Sequence, residues 1–546
     1  MSGQPGWAAG YPTSGYDGPA SDGHAVRRLK FRPSCCFAYL AQLRSRKWKD
    51  GPPGGRGPLF VPSPPHAPTL DLRSGMVGAY RTVSAEMEKV LMRWQAFIVA
   101  LFLPLLVGLT VRQACGGQQQ PNLGVAGVVV DAQGVLQRML YQDPGGTLTR
   151  QRMAAARASL APDLQRFSPL RKVCLNRLEE AIRHNQGMVT DEMRYLAGLL
   201  RVRYVFFYPE TGDIVLAGPA EGWMTNLAGR VVGLTTGQPV VQLQDLVVAL
   251  RAFPPGAEPT PVVGCSIDPT QEGLAALQRF LRAFGPHARR DQTLQFAVGV
   301  RSSLGMQEVT VNGVPADTHF AQVMVEADYR MKLIGIGLET PPVRLVSFVE
   351  RVSPSQVSRN ALFRWFFVPD YQCVRRSEDG LAMELVGDGV KLVGEDELVS
   401  ATGQRQAAQR SNRASQAFVQ SFTEKYPELA KRSPVYAELR NLIDLVIVAA
   451  YIQQEDLYGK ANWKMELFGS EEALPVRTYN APRKAESAVN ALWKGSTLMT
   501  PIGGGVEIRA AMALQPENIL PDQQGKVSQL REQTRLELAE GQWWWD

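Results

Sequence analysis

Histidine and cysteine are the scarcest chemical groups in this 546-residue chain, which has five of the former and six of the latter. Beyond residue 93 only His184, His287 and His319 remain, so general bases of the imidazole type are few. Cys115, Cys174, Cys265 and Cys373 stand about a hundred residues apart, with no CxxC and no short Cys/His grouping. That spacing excludes a sequence-local zinc site and leaves either one or two disulfides or buried free thiols. No GxGxxG precedes a helix and no GxxxxGK[ST] occurs, so neither dinucleotide nor P-loop binding is expected. Gly503-Gly-Gly505 and Gly335-Ile-Gly337 lack those spacings and read as turns or close backbone contacts. We therefore expect no cofactor and no metal.

Charge is unevenly spread. Residues 1–93 hold 13 Lys and Arg against 6 Asp and Glu, which is the whole net charge of +7. The remaining residues carry 46 of each sign. A nucleic-acid binder needs its basic patch on the folded body, so no nucleic-acid partner is expected.

Residues 1–93 are rich in Gly, Pro and Ser, as in Gly51-Pro-Pro-Gly-Gly-Arg-Gly-Pro58. Such a segment buries too little apolar surface to offset its chain entropy, and reads as a disordered leader or a mis-assigned start. The sixteen uncharged residues from Ala96 to Val111 follow Arg93. They are short for a spanning helix, which needs about 20 apolar residues, and nearer a signal-peptide core of about 7–15. Residues 94–117 thus read as a signal peptide or membrane anchor, with membrane association through Ala96 to Val111. The expected location is exported, periplasmic or in the cell envelope.

The body reads as α+β or mixed α/β, with hairpins and helices alternating before a more helical C-terminal region. Its expected divisions are an α/β domain over 118–335, a β-rich segment over 336–400 and a mainly helical region over 401–540. Two β-type runs flank Pro209-Glu-Thr-Gly-Asp213, which predicts a hairpin over 203–217. Ser168-Pro169 predicts a helix start, with a stripe through Cys174, Leu175, Leu178 and Ile182. Asp268 and Asp317 read as helix caps, 293–300 as a strand, and Ser433-Pro434 as the start of a core helix over 435–457.

Several segments taken together carry a resemblance: Gly212-Asp-Ile-Val-Leu-Ala-Gly-Pro-Ala-Glu-Gly-Trp223, Cys265-Ser-Ile-Asp-Pro-Thr-Gln-Glu-Gly-Leu274, Glu326-Ala-Asp-Tyr-Arg-Met-Lys332, Phe422-Thr-Glu-Lys-Tyr-Pro-Glu-Leu-Ala430 and Ser433-Pro-Val-Tyr436. The chain resembles an exported domain-of-unknown-function family of planctomycete-type bacteria over about 124–510. The resemblance implies no activity, cofactor or site residue.

Candidate chemistry is sparse. Glu210, Asp213 and Glu221 surround one hairpin with Trp223, a set suited to acid/base hydrolysis of a sugar polymer, although the same residues also serve turn geometry. His319 opens a helix and is the general-base candidate by its neighbourhood. The acid-first pairs Glu326/Arg330 and Asp328/Lys332 suit a solvated or interdomain helix face. Trp543-Trp-Trp545 reads as a frayed end or a contact with a membrane or partner. The expectation is an exported envelope protein with a structural or binding role and a protein or polysaccharide partner; the alternative is a carboxylate-based hydrolase acting on an envelope polymer.

Overall fold

Seventeen of the residues between Val435 and Ile452 are buried, on a single helix, Pro434–Gln454. A helix apolar on nearly every face must lie inside, and this one packs against the helices Leu243–Ala252, His319–Gly335 and Arg413–Arg432. The computed structural model describes residues 125–546 apart from 286–288, 359, 491, 495–496, 499–501 and 535–537. The leader, the Ala96 to Val111 run and Cys115 lie outside the described residues. Among the described residues no helix is long and apolar enough to cross a membrane.

Two large mixed sheets frame the helices, and the protein is α+β. The nine-stranded sheet runs, in spatial order, Val125–Val130, Val135–Tyr141, Lys484–Glu486, Met306–Asn312, Val263–Asp268, Ile502–Ile508, Ala361–Pro369, Val390–Val399, Arg405–Ala407. Within it Ala361–Pro369 pairs in parallel with Ile502–Ile508, two strands far apart in sequence. The seven-stranded sheet holds the expected hairpin, Tyr204–Tyr208 against Asp213–Ala220, in antiparallel register. The intervals 118–335, 336–400 and 401–540 all supply strands to the nine-stranded sheet, and all described residues fall within one unit, Val111–Asp546.

Local signals failed where a distant partner claimed the chain. Ser168–Cys174 is a strand, not a helix start, because its backbone is paired by Asp213–Ala220 on one side and Trp544–Trp545 on the other. The helix begins only at Leu175. Residues 293–300 belong to the helix Thr293–Leu304, whose Phe296, Val300 and Leu304 recur every fourth residue against Leu277 and Leu281. Thr270 and Thr318, rather than Asp268 and Asp317, cap their helices, accepting from the N–H groups of Gly273 and Ala321. Asp268 is instead paired with Arg364 across the sheet, at 3.0 and 3.1 Å.

The C-terminal tryptophans are built into the sheet edge. Trp543 is buried, its carbonyl accepts from the Cys174 N–H at 2.8 Å, and Trp544 stacks under the Arg171 guanidinium. Arg171, fully buried, donates from Nε and Nη2 to the Asp546 carboxylate at 2.8 and 3.0 Å. Cys174, Cys265 and Cys373 are buried free thiols.

Candidate functional site

The hairpin carboxylates do not meet. Glu210 is exposed on the turn. Asp213 is buried and accepts from Arg177 Nε at 2.8 Å, Arg177 Nη2 at 2.9 Å and the Thr211 hydroxyl at 2.7 Å. Glu221, fully buried, accepts from the backbone N–H groups of Thr235 and Thr236 at 3.0 and 2.9 Å and from the Thr236 hydroxyl. It thereby ties a turn to the sheet. Trp223 offers no open face for a sugar, since it is buried edge-on against Tyr195 with ring centroids 5.7 Å apart. Glu221 is spent on backbone and Asp213 on Arg177 and Thr211, and none of these residues lines the cavity described below.

The acid-first helix pairs do form, but in the interior rather than on a solvated face. Asp328 accepts from Lys332 Nζ at 2.8 Å, and the same ammonium donates to the carbonyls of Ile267 and Gly504 at 2.7 and 3.0 Å. The helix His319–Gly335 is thus bolted to two adjacent strands. Burial, only partly opposed by Lys332, pushes the Asp328 carboxyl up to about 7. Burial pushes Asp213 the same way, but the hydrogen bonds from Arg177 and Thr211 outweigh it and hold this carboxyl below its usual 3.8.

These opposite shifts predict the acid response. Asp213 binds fewer protons folded than unfolded, so its stabilisation is present above about pH 3.8 and lost as pH falls through the lowered value. Asp328, with its raised value, stabilises below about pH 3.8 and loses that contribution as pH rises through about 7. Urea midpoints measured across acid pH will therefore fall less steeply below pH 3.8 in Asp213→Asn than in the parent. A parallel fall in both proteins would show that Asp213 carries no such linkage.

His319 has a different setting. It is the first residue of the helix His319–Gly335, and Asp245 lies in the first turn of the helix Leu243–Ala252. The packing of these two helices brings the His319 Nδ1 within 2.9 and 3.0 Å of the Asp245 carboxylate oxygens. Asp245 is 4 % exposed. A carboxylate only accepts, so Nδ1–H donates to Asp245, and in the neutral imidazole the free lone pair is on Nε2. Among the described residues Nε2 has no hydrogen-bond partner.

His319 is part of the wall of a cavity of about 610 Å³. Gln242 and Gln244 line it from the start of one helix, and Gln322 and Glu326 from the other. Arg230 and Glu326 in its lining belong to a charge network that continues behind it, with Arg230 bridging Glu326 and Glu438 while Arg330 joins Glu326 to Glu339. Arg194 and Arg477 also line it, and both are exposed. Arg477 lies over the Tyr479 ring, 5.1 Å from its centroid, with no carboxylate in ion-pair reach among the described residues. Two first turns and two exposed guanidiniums make this a place where negative charge is favoured.

The sequence reading singled out His319 but missed Asp245, Arg477 and Gln242. An acid in a helix's first turn reads as a partner of the helix dipole, and no local pattern ties Asp245 to a histidine 74 residues away.

Fold and cavity together describe an α+β protein with an Asp-backed histidine in the wall of a cavity of mixed polar and apolar lining. Residues 265–348 match a family described as a protein of unknown function (DUF1598). That stretch covers His319 and two of the segments that carried the resemblance, but not Asp245. No curated protein and no solved structure matches the chain.

Proposed function

We propose that this is an exported cell-envelope protein, of the planctomycete-type family its segments resemble, that binds a small acidic molecule in the cavity at His319. The observation that carries the binding reading is the cavity itself. Its volume falls within the roughly 300–1,000 Å³ typical of small-ligand sites. It presents the Asp245-backed imidazole together with Arg194, which pairs with the exposed Asp191 at 3.4 Å, and Arg477, which lies over Tyr479. Export is supported by the Ala96 to Val111 run and by the charge divide that leaves the body neutral.

Calorimetric titration with succinate, glutarate and inorganic phosphate tests the binding. At least one anion is expected to bind, and Arg477→Ala to weaken it about tenfold, the loss of one charge-assisted hydrogen bond, without lowering the melting temperature. Equal binding by Arg477→Ala, or no heat from any of the three, overturns this reading. Fractionation of source cells tests the location, and recovery from the cytosol would overturn export.

A further inference from the structure

We infer that the cavity is a hydrolytic site, in which His319 acts as general base on a water molecule attacking a carboxylic ester that carries an anionic arm. The inference rests on the binding reading above and assigns chemistry to the same pocket. Three observations carry it.

The first is the histidine. Asp245 accepts a hydrogen bond from Nδ1–H at 2.9 Å, which fixes the orientation and, in the neutral ring, leaves Nε2 as the accepting nitrogen. Asp245 is buried behind the ring, so the imidazolium formed on proton transfer has its counter-charge already in place.

The second is that no side-chain hydroxyl or thiol engages the histidine's outer nitrogen. No serine or cysteine lines the cavity among the described residues, and the hydroxyls that do, on Thr225, Tyr195 and Tyr479, are not hydrogen-bonded to His319 Nε2. Cys174, Cys265 and Cys373 are buried elsewhere, and burial pushes each thiol above its usual range. Water is left as the attacking group.

The third is Gln242. This residue is 8 % exposed and lines the cavity at the same helix start that supplies Asp245. Its side-chain oxygen accepts from Gln244 Nε2 at 2.7 Å, which directs its own amide N–H₂ away from that partner. Those N–H groups donate to nothing among the described residues and are available to an oxyanion.

The step balances without a co-reactant. As the water oxygen bonds to the ester carbon, its proton passes to His319 Nε2 and negative charge builds on the carbonyl oxygen beside Gln242. The tetrahedral species then expels the alkoxide, which takes the proton from Nε2. The products are an acid and an alcohol. Arg194 and Arg477 hold the anionic arm.

The test uses the full chain and 4-nitrophenyl hemisuccinate, an ester with a carboxylate arm. Release of 4-nitrophenolate is expected at least about 100-fold above buffer, the low end of what a positioned general base supplies. His319→Ala is expected to fall to the buffer rate. Gln242→Leu is expected to lose about 100-fold in kcat, the usual effect of removing one oxyanion donor. Asp245→Asn, a positioning change, is expected to lower kcat while KM stays within about twofold, a split that a merely structural defect would not give. His319→Gln serves as the second variant if the alanine protein does not fold. Should the parent hydrolyse no faster than His319→Ala while still binding succinate, the hydrolytic assignment falls and the binding reading stands. Failure of both binding and hydrolysis overturns both.

Discussion

Asp444→Ala will lower the unfolding free energy by about 3–5 kcal/mol, because it strands a buried guanidinium. Arg201 and Asp444 are among the most enclosed ion partners in the fold, with side chains 8 % and 3 % exposed. Arg201 donates to the Asp444 carboxylate at 2.6 and 3.3 Å and to the Gly387 carbonyl at 2.9 Å. Asp444 sits on the central helix Pro434–Gln454, and Arg201 leads into the hairpin strand Tyr204–Tyr208, so the pair joins the core helix to the seven-stranded sheet. A buried pair of this kind adds little net stability over an apolar pair of similar volume, since desolvation offsets most of the attraction. The damage comes from removing one partner alone. The double variant Arg201→Met with Asp444→Leu should therefore recover most of the loss. Urea denaturation of the two variants checks this, and a cost under about 1 kcal/mol for Asp444→Ala would contradict the desolvation argument.

Trp365→Ala should cost a similar amount, about 3–5 kcal/mol, for a reason unconnected with charge. Trp365 is fully buried on the interior strand Ala361–Pro369 of the nine-stranded sheet. Its ring packs against Phe418 and Phe348, with centroids at 4.6 and 5.6 Å, and its Nε1 donates to the Ser415 hydroxyl at 3.0 Å. The site accepts so large a ring only because Gly335 faces it; a Cβ there would sit 2.2 Å from Trp365 Cζ3. The indole thus fills the space between the sheet and two helices, and alanine leaves a cavity of side-chain size. Trp365→Phe should cost less, since it keeps most of the packing and gives up mainly the bond to Ser415. Equal losses from the two variants in denaturant titration would show that the hydrogen bond, not the volume, dominates.

How far the sequence was legible depended on how local each signal was. The hairpin over 203–217 was readable because Pro209-Glu-Thr-Gly-Asp213 dictates a turn and β-type runs flank it. The core helix was readable because Ser433-Pro434 starts a run apolar on most faces. At Ser168-Pro169 the same helix-start signal misled, because strand pairing with residues 213–220 and 544–545 supplied hydrogen bonds a helix would have had to replace. The buried positions of Glu326/Arg330 and Asp328/Lys332 were hidden for a related reason. Spacing shows that the pairs can form, not what covers them.

The sequence by itself determined the charge divide at the apolar run, the absence of local metal and nucleotide motifs, the α+β character and the few residues able to act as bases. Only the tertiary structure decided which of those residues share a site. It spent Asp213 and Glu221 on backbone and arginine partners, and it brought Asp245 and Gln242 beside His319 at the cavity wall. Turns and helices are encoded within a few residues of chain, whereas a hydrogen bond between residues 74 apart exists only once two helices have packed.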